Sequence, residues 1–230
     1  MLSHWLKNTM LSLSRTQCDL CHLESDDQLW CRYCQRYFLP QPRCLRCGLP
    51  TPIEVEQCGH CLTNPPLWHR LYCIGDYQQP LSRYVHRLKY QRQFWLAPLL
   101  SQRLAARIDH LAPLVTSVPM HWQRQWWRGF NQSELLAAHL AHHWQQSDYR
   151  PLFKRVRATA QQQGLNKIER QRNLRRAFML NQVPKQTHVA IVDDVVTTGS
   201  TMRQLCALLL NAGVETIDIY CLCRTPEPND

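Results

Sequence analysis

The chain has 230 residues, enough for one domain of ordinary size and a small additional one, and 44% of its residues are hydrophobic. Its longest aliphatic runs, such as "ALLL" at 207–210, are far shorter than the roughly 20 apolar residues of a transmembrane helix. The N-terminus lacks a continuous apolar segment followed by a small-residue cleavage site. These features predict a cytoplasmic protein without a membrane span.

The net charge of +10 is concentrated in the middle of the chain. Residues 83–176 contain seventeen lysines and arginines against four aspartates and glutamates. Residues 1–66 contain six basic and six acidic residues, whereas residues 185–230 contain three basic and six acidic ones. A segment with this excess of positive charge attracts phosphates or nucleic acid, although charge alone is equally typical of a solvated basic face.

Eight of the twelve cysteines form four C-x-x-C pairs within residues 18–61. Two residues between the cysteines allow one tight turn to direct both sulfurs at a single ion, and two such turns complete a tetrahedral zinc site. Disulfides are the alternative interpretation, but they are disfavoured without a secretory signal. The spacing therefore predicts one or two structural zinc ions, bound by Cys18, Cys21, Cys31, Cys34, Cys44, Cys47, Cys58 and Cys61.

The cysteine-rich segment is expected to be a small domain of its own. Because it contains few aliphatic residues, metal binding would supply much of its folding free energy. The spacing does not decide whether neighbouring pairs or alternate pairs share an ion. Gly48 and Gly59 each adjoin a cysteine, in turns that are expected to tolerate no larger side chain. A proline pair in the linker at 62–70 predicts a domain boundary, with domains at 1–66 and 67–230.

Beyond this linker, strand-like and helix-like patterns alternate. Apolar runs typical of strands occur at 71–77, 114–119, 188–192 and 216–223, with amphipathic segments typical of helices between them. Asn131 and Glu134 have the spacing of a helix-capping box. The order predicts an α/β fold with a mostly parallel sheet flanked by helices. The remaining cysteines lie in apolar segments and are expected to be buried thiols: Cys73, Cys206, Cys221 and Cys223.

The most specific motif is "VAIVDDVVTTGSTM" at 189–202, in which an apolar strand leads into two acids and a run of small residues. Ligands of parallel sheets bind at the carboxyl ends of strands, where a helix N-terminus favours anions. Carboxylates do not bind phosphate, so Asp193 and Asp194 would address hydroxyls or a divalent cation attached to it. The pattern predicts a phosphorylated sugar, with the phosphate bound by Thr197, Thr198, Gly199, Ser200 and Thr201.

This motif resembles the PRPP-binding signature of the type I phosphoribosyltransferases. The wider chain resembles the ComF family of competence and DNA-uptake proteins, including its GntX branch. The resemblance rests on the motif, the four C-x-x-C pairs, "HRLKYQ", "SVPMHWQRQWWRGFNQSELLA" and "ERQRNLRRAF". It implies a type I phosphoribosyltransferase-like domain, an N-terminal zinc finger, and the handling of incoming single-stranded DNA in the cytoplasm. Other DNA-uptake proteins at the inner membrane are the implied partners.

The same resemblance implies roles for individual residues. Asp193 and Asp194 would bind the ribose hydroxyls and, in a transfer reaction, stabilise positive charge developing at C1. The loop that follows them would bind the 5′-phosphate of PRPP. Pro119, Met120 and His121 would lie near the pyrophosphate, with Mg²⁺ bridging it to the ribose. The sequence does not decide between an active transferase with an unidentified acceptor and a protein that uses the pocket only to bind the ligand.

The segment "HWQRQWWRGFNQ" at 121–132 interleaves arginines with aromatic residues. Guanidinium groups meet phosphates and aromatic faces stack on bases, a combination typical of single-strand binding. In the alternative interpretation, the aromatic residues are core anchors and the arginines serve only pyrophosphate. The basic segment 157–178 resembles the family's loop over the sugar site. Candidate DNA-binding residues are Arg124, Trp126, Trp127, Arg128, Lys167 and Arg170.

Overall fold

A computed structural model describes residues 16–25, 29–122, 126, 128–156 and 177–225 of the chain. By compactness the chain divides after Leu39 into two units. The predicted domain boundary after residue 66 stays a prediction. Four predicted site residues lie outside the described residues: Arg124, Trp127, Lys167 and Arg170.

The first unit is organised around cysteines. Strands β1 (Thr16–Gln17) and β2 (Glu24–Ser25) form a short antiparallel hairpin, and a 3₁₀ helix spans Cys34–Phe38. Trp30 packs on Phe38 with ring centroids 4.3 Å apart, and both side chains are buried. This aromatic pair is a small hydrophobic core, as expected of a segment with few aliphatic residues.

The second unit contains a five-stranded sheet with its covering helices and a separate pair of strands. In chain order its strands are β3 (Arg70–Asp76), β4 (Leu114–Ser117), β5 (Asp148–Tyr149), β6 (Phe153–Arg155), β7 (Phe178–Leu180), β8 (His188–Val196) and β9 (Thr216–Arg224). The helices are α1 (Gly59–Thr63), α2 (Leu81–Tyr90), α3 (Leu96–Ala105), α4 (Gln132–Trp144) and α5 (Ser200–Asn211). The sheet has the order β3-β9-β8-β4-β5 with every pair parallel, whereas β6 and β7 form a separate antiparallel pair.

Helices pack on both faces of this sheet. On one face, Leu205 and Leu209 of α5 belong to the same buried cluster as Ile191 and Ile219 of the central strands. Alternate residues of a strand point to the opposite face. On the face opposite to α5, Tyr220 is fully buried and lies against Trp144 at the end of α4, with ring centroids 5.8 Å apart. The predicted α/β fold with a mostly parallel sheet flanked by helices is therefore confirmed.

The sheet brings the acidic pair, Asp193 and Asp194, close to the segment after β4. Ser117 at the end of β4 is paired with Val192 in β8, and the Val118 amide donates a hydrogen bond to the Val192 carbonyl at 3.0 Å. Both strands run in the same direction, so the residues after Ser117 and the acidic pair meet at one edge of the sheet. This is the edge at which parallel sheets bind ligands.

Several local predictions have clear outcomes. The Asn131 side chain accepts a hydrogen bond from the Ser133 amide at 3.1 Å, so it caps α4 as predicted. Gly48 has φ +72°, and a Cβ there would lie 2.3 Å from Leu71 Cδ2. The same expectation was wrong for Gly59, because it begins α1 and a Cβ there would meet nothing within 4 Å. The four cysteines outside the pairs are buried, as predicted: Cys73, Cys206, Cys221 and Cys223.

None of the helices in the described part of the chain is both long and apolar enough to cross a bilayer.

Candidate functional site

The acidic pair is held by two polar side chains from distant parts of the chain. Lys89 Nζ, at the end of α2, lies 2.9 Å from Asp194 Oδ1. The Ser133 hydroxyl, in the first turn of α4, donates to Asp193 Oδ1 at 2.8 Å. Asp194 is only 3% exposed, and no described residue donates a hydrogen bond to its Oδ2. The site therefore contains a buried carboxylate oxygen for which a ligand hydroxyl is a suitable donor.

The charges of Asp193, Asp194 and Lys89 alter one another's pKa values. Burial, together with repulsion from the Asp194 carboxylate, raises the pKa of Asp193 to about 7. Burial alone would lower the pKa of Lys89, but the Asp194 carboxylate raises it above its ordinary value. Lys89 is therefore a cation at neutral pH, and it neutralises one of the two adjacent carboxylates.

The phosphate loop, residues 197–201, joins β8 to the N-terminus of α5. Thr197 and Thr198 are exposed, and the hydroxyls of Thr198 and Ser200 share a hydrogen bond at 2.8 Å. Gly199 has φ +68° immediately before the twelve-residue helix α5. The first amides of a helix lack intrahelical partners and favour an anion. Hydroxyls and the N-terminus of a helix thus come together three residues after the acidic pair, and the bound phosphate stays a prediction.

The residues predicted to face pyrophosphate follow β4 directly. Pro119 and Met120 are partly buried, and His121 is 8% exposed. The side-chain Nδ2 of Asn131 donates to the Val118 carbonyl at 3.0 Å, which draws the start of α4 to the end of β4. The structure therefore brings this segment to the same sheet edge as the acidic pair, while its role toward pyrophosphate stays a prediction.

An aromatic–basic surface lies beside this edge. The Arg128 guanidinium stacks over Tyr90 at 4.8 Å from the ring centroid, and Phe130 meets Phe94 edge to face at 4.5 Å. Tyr90 is 60% exposed and Trp126 is 86% exposed, so Trp126 is not a core anchor. We define this aromatic–basic surface by its exposed or partly exposed members: Tyr90, Phe94, Trp95, Trp122, Trp126, Arg128 and Phe130.

An open groove with a volume of about 560 Å³ runs along α2. Arg83, His86 and Arg87 line it, and the Arg87 guanidinium also lies over the Trp95 ring at 5.7 Å. Arg87 thus connects the groove to the aromatic–basic surface. A groove lined by cations beside exposed aromatic rings suits a single nucleic acid strand, whose backbone is anionic and whose bases stack.

The cysteine pairs form two clusters of neighbouring pairs. The first cluster is Cys18, Cys21, Cys31 and Cys34, and the second cluster is Cys44, Cys47, Cys58 and Cys61. In each, the four sulfurs lie within 4.8 Å of one another. Measured S···S distances are 3.7 Å for Cys21–Cys31 and 3.8 Å for Cys44–Cys61. Tetrahedral zinc with Zn–S bonds of about 2.3 Å requires sulfurs about 3.8 Å apart. Both clusters are therefore compatible with zinc, and alternate pairing is excluded.

The structure adds functional-site residues that the sequence reasoning did not assign. Lys89 falls within "HRLKYQ", and Ser133 follows the capping residue Asn131, but neither segment indicates a partner in the acidic pair. Arg224 is 5% exposed, and its Nη1 donates to the backbone carbonyls of Val196 and Thr197 at the start of the phosphate loop. Lys89, Ser133 and Arg224 are far in sequence from the groups that they contact, so no local pattern predicts these contacts.

Comparison with known proteins agrees with this geometry. A family model described as "Phosphoribosyl transferase domain" matches residues 151–230. DNA utilization protein YhgH of Salmonella typhi is 42% identical over 219 residues, covering 90% of this chain and 96% of the relative. Competence protein F of Haemophilus influenzae is 37% identical, covering 84% of this chain and 90% of the relative. Competence protein ComFC of Streptococcus pneumoniae is 25% identical, covering 88% and 90%.

The fold and the matched residues show that the second unit contains a phosphoribosyltransferase-type domain. The extent of the similarity goes further than this domain, because it covers nearly the whole chain. The chain belongs to the ComF family, which includes competence protein F and DNA utilization protein YhgH, as the sequence predicted.

Proposed function

We propose that this protein handles incoming single-stranded DNA in the cytoplasm and binds PRPP, or a related ribose 5-phosphate, together with Mg²⁺. The observation that carries the proposal is the unpartnered Oδ2 of Asp194, a carboxylate that is 3% exposed beside a loop of hydroxyls and the N-terminus of α5. A buried acceptor without a donor is costly, and a sugar hydroxyl supplies the donor.

The remaining contacts support the same ligand. The amides and hydroxyls of the phosphate loop suit the 5′-phosphate, while the acidic pair suits the ribose hydroxyls three residues upstream. We assign the pyrophosphate to Pro119, Met120 and His121, because they follow β4 at the same sheet edge as the acidic pair. Mg²⁺ would neutralise charge on the pyrophosphate. Lys89 and Ser133 position the carboxylates through contacts of 2.9 and 2.8 Å, respectively.

Calorimetry with Mg²⁺ and PRPP tests this ligand. Asp193→Asn and Asp194→Asn should each weaken binding by about 1–3 kcal/mol, because each loses a charge-assisted hydrogen bond to a ribose hydroxyl. Asp148→Asn is the matched control, since Asp148 is exposed and pairs at the surface with Arg150, at 3.2 Å. If both variants of the acidic pair bind as tightly as the control while remaining folded, the ligand is not held there.

The aromatic–basic surface supports the DNA part of the proposal. Exposed rings are costly in water, yet Trp126 is 86% exposed and Trp122 is 65% exposed. The Arg128 guanidinium is held over Tyr90, so that a cation and an aromatic face are presented together. Single-strand binders use this combination, in which cations meet phosphates and rings stack on bases.

Salt-dependent binding of single-stranded DNA separates the two contributions. Arg128→Ala should flatten the plot of log K against log salt by about 0.7 for each phosphate that is no longer neutralised. Trp126→Ala should lower affinity by about 1–3 kcal/mol without changing that slope. Lys185→Ala removes an exposed cation outside the basic segment and should change neither quantity. An unchanged slope in Arg128→Ala, or unchanged affinity in Trp126→Ala, would contradict the corresponding contribution.

A second candidate function is transfer of the phosphoribosyl group to an acceptor. It is favoured by the carboxylate pair next to the proposed ribose position, because the bond from C1 to pyrophosphate breaks while the acceptor bonds to C1. The positive charge that develops on the ribose would then face Asp193 and Asp194. To test transfer, the protein is incubated with Mg²⁺-PRPP and single-stranded DNA, and its rate of pyrophosphate release is compared with that of Asp193→Asn. Release no faster than in the variant would leave the binding function alone.

We also infer that each cysteine cluster holds one structural zinc ion, because the sulfur geometry matches a tetrahedral site. Metal analysis of the purified chain should give two zinc ions per molecule. Cys18→Ser with Cys21→Ser should lower the ratio to one, as should Cys44→Ser with Cys47→Ser. A ratio near zero with intact disulfides would contradict the inference.

A further inference from the structure

We propose that the second cysteine cluster positions the phosphate loop, so that metal bound by Cys44, Cys47, Cys58 and Cys61 controls ligand binding in the phosphoribosyltransferase-type domain. This proposal rests on the proposed function, since it assigns a control to the same ligand site. The connection runs through Trp68 and Arg224, two buried side chains that act as positioning residues.

The turn between Cys44 and Cys47 presents three consecutive backbone carbonyls to the rest of the second unit. The carbonyl of Leu45 accepts from the Leu71 amide at 2.9 Å. The carbonyl of Arg46 accepts from Trp68 Nε1 at 2.7 Å, and that of Cys47 accepts from Arg224 Nε at 3.0 Å. All three acceptors belong to a turn whose shape depends on two cysteines binding one ion.

Arg224 carries this connection to the start of the phosphate loop. Its Nε bonds to the Cys47 carbonyl, while its Nη1 donates to Val196 at 3.3 Å and to Thr197. The guanidinium is planar and rigid, so a fixed Cys47 carbonyl fixes the direction of the other nitrogen. Because Arg224 is 5% exposed, water is a poor substitute for these acceptors. Displacement of the turn would therefore displace the loop.

Trp68 carries a second connection, to the middle of the same loop. Its indole N–H is fixed by the Arg46 carbonyl, and its ring lies against Gly199. A Cβ at Gly199 would lie 2.7 Å from Trp68 Cη2, so the backbone approaches the ring as closely as a glycine allows. The φ of +68° at Gly199 opens α5, whose first amides are the proposed phosphate donors. The Trp68 ring therefore packs against the backbone of the phosphate loop at Gly199.

The second cluster does not have enough apolar surface to keep its shape without metal. Its buried hydrophobic group consists of Leu49 and three of its cysteines, with Val55 and the partly buried Cys58 packed against them. In such small sites, metal binding supplies folding free energy. Loss of the metal would free the three carbonyls and release Trp68 and Arg224 together. By reciprocity, a ligand bound to the loop must hold the metal more tightly by the same factor.

Hydrogen exchange of the intact chain provides the first test, because it needs no ligand. Cys44→Ser with Cys47→Ser should speed amide exchange at 195–201 by about 5- to 150-fold, the usual range of coupling between sites. Cys18→Ser with Cys21→Ser also removes one metal ion, and it should leave exchange at 195–201 unchanged. Equal protection of the loop in both double variants would overturn the proposal.

Single positioning variants cover the case in which the second double variant fails to fold. Trp68→Phe keeps a ring against Gly199 but removes the bond to Arg46, and Arg224→Lys keeps the charge but spans fewer acceptors. Both should retain two zinc ions per chain, exchange faster at 195–201 and bind Mg²⁺-PRPP more weakly. If both keep parental loop protection, the positioning role of these side chains is refuted.

Zinc release from the parental chain tests the reciprocal effect. A chromogenic chelator should remove the two ions at distinct rates. Mg²⁺-PRPP should slow release of the ion bound by the second cluster and leave release of the other ion unchanged. The double variant Cys44→Ser with Cys47→Ser, which lacks the second-cluster ion, identifies which rate belongs to which ion. If the chain binds PRPP and both rates stay the same, the coupling is refuted. If it does not bind PRPP but metal loss still unprotects the loop, the coupling stands and the ribose-phosphate function fails.

Discussion

The two halves of the candidate site are held in different ways, although only two residues separate them in the sequence. The acidic pair is held by charge, since Lys89 lies 2.9 Å from Asp194 and the Ser133 hydroxyl bonds to Asp193. The phosphate loop is held through its backbone, because the Arg224 guanidinium donates to the carbonyls of Val196 and Thr197 and the Trp68 ring lies against Gly199. The difference implies that the acidic half responds to protons and the loop half responds to metal.

The largest expected effect comes from removing the cation of the acidic half. Lys89→Met leaves Asp194 buried without its partner, which should lower the free energy of unfolding by about 3–5 kcal/mol. Urea denaturation at pH 7.5 measures this loss. The double variant Lys89→Met/Asp194→Asn removes both charges and should regain much of the stability.

The same variant also tests whether the halves are independent. If they are, Lys89→Met should leave exchange protection at 195–201 close to that of the parent under native conditions. Additive effects of Lys89→Met and Asp194→Asn would show that the two side chains do not interact, which would contradict the charge-based half of the comparison.

An intermediate effect is expected in the loop half. Gly199→Ala should cost about 1–3 kcal/mol, because it places a Cβ against the Trp68 ring at a positive φ. Gly213→Ala is the matched control, since Gly213 has φ +91° but nothing within 4 Å of a Cβ. Thermal unfolding of both variants isolates the contact with Trp68 from the backbone strain. Equal costs would mean that the ring does not support the loop.

A gradual effect, spread over several pH units, is expected from titration of Asp193, whose pKa is raised to about 7 from an ordinary value of 3.8. Between these values the folded chain binds more protons than the unfolded chain, so the free energy of unfolding falls as pH rises. One proton limits the slope to about 1.4 kcal/mol per pH unit. Urea denaturation from pH 5 to 8 should show this decline in the parent relative to Asp193→Asn.

Titration of Asp193 should affect ligand affinity in the opposite direction to stability. The ionised Asp193 carboxylate accepts ribose hydroxyls better than the protonated acid, so PRPP affinity should rise through about pH 7. In Asp193→Asn this rise should be absent. Parallel pH profiles in the parent and the variant would place the titrating group elsewhere.

Local patterns predicted the fold well because they arise from neighbouring residues. The alternation of strands and helices, the Asn131 cap and the buried Cys221 are each set by a short segment. The zinc spacing predicted the ligands, but the assignment of neighbouring pairs to one cluster needed coordinates. Gly59 shows the limit of such reasoning, because a glycine beside a cysteine lies in open space there.

The positioning contacts were not predictable from the sequence. Lys89 and Asp194 are more than a hundred residues apart, and their pairing depends on how α2 packs against β9, the neighbour of β8 in the sheet. Arg224 is the last residue of β9, where an arginine more often faces water than four backbone carbonyls. Motifs identified the groups that would touch the ligand, whereas the groups that position them follow from packing.

Because of where the twelve cysteines lie, thiol alkylation can report which part of the chain has lost its metal or unfolded. With both clusters metallated, eight thiolates are shielded as ligands, and the other four are 0–6% exposed: Cys73, Cys206, Cys221 and Cys223. The folded protein should therefore resist an alkylating reagent almost completely. Demetallation should add adducts in groups of four, and only unfolding of the sheet together with α5 should add the last four. Intact mass would then report, molecule by molecule, which region had opened.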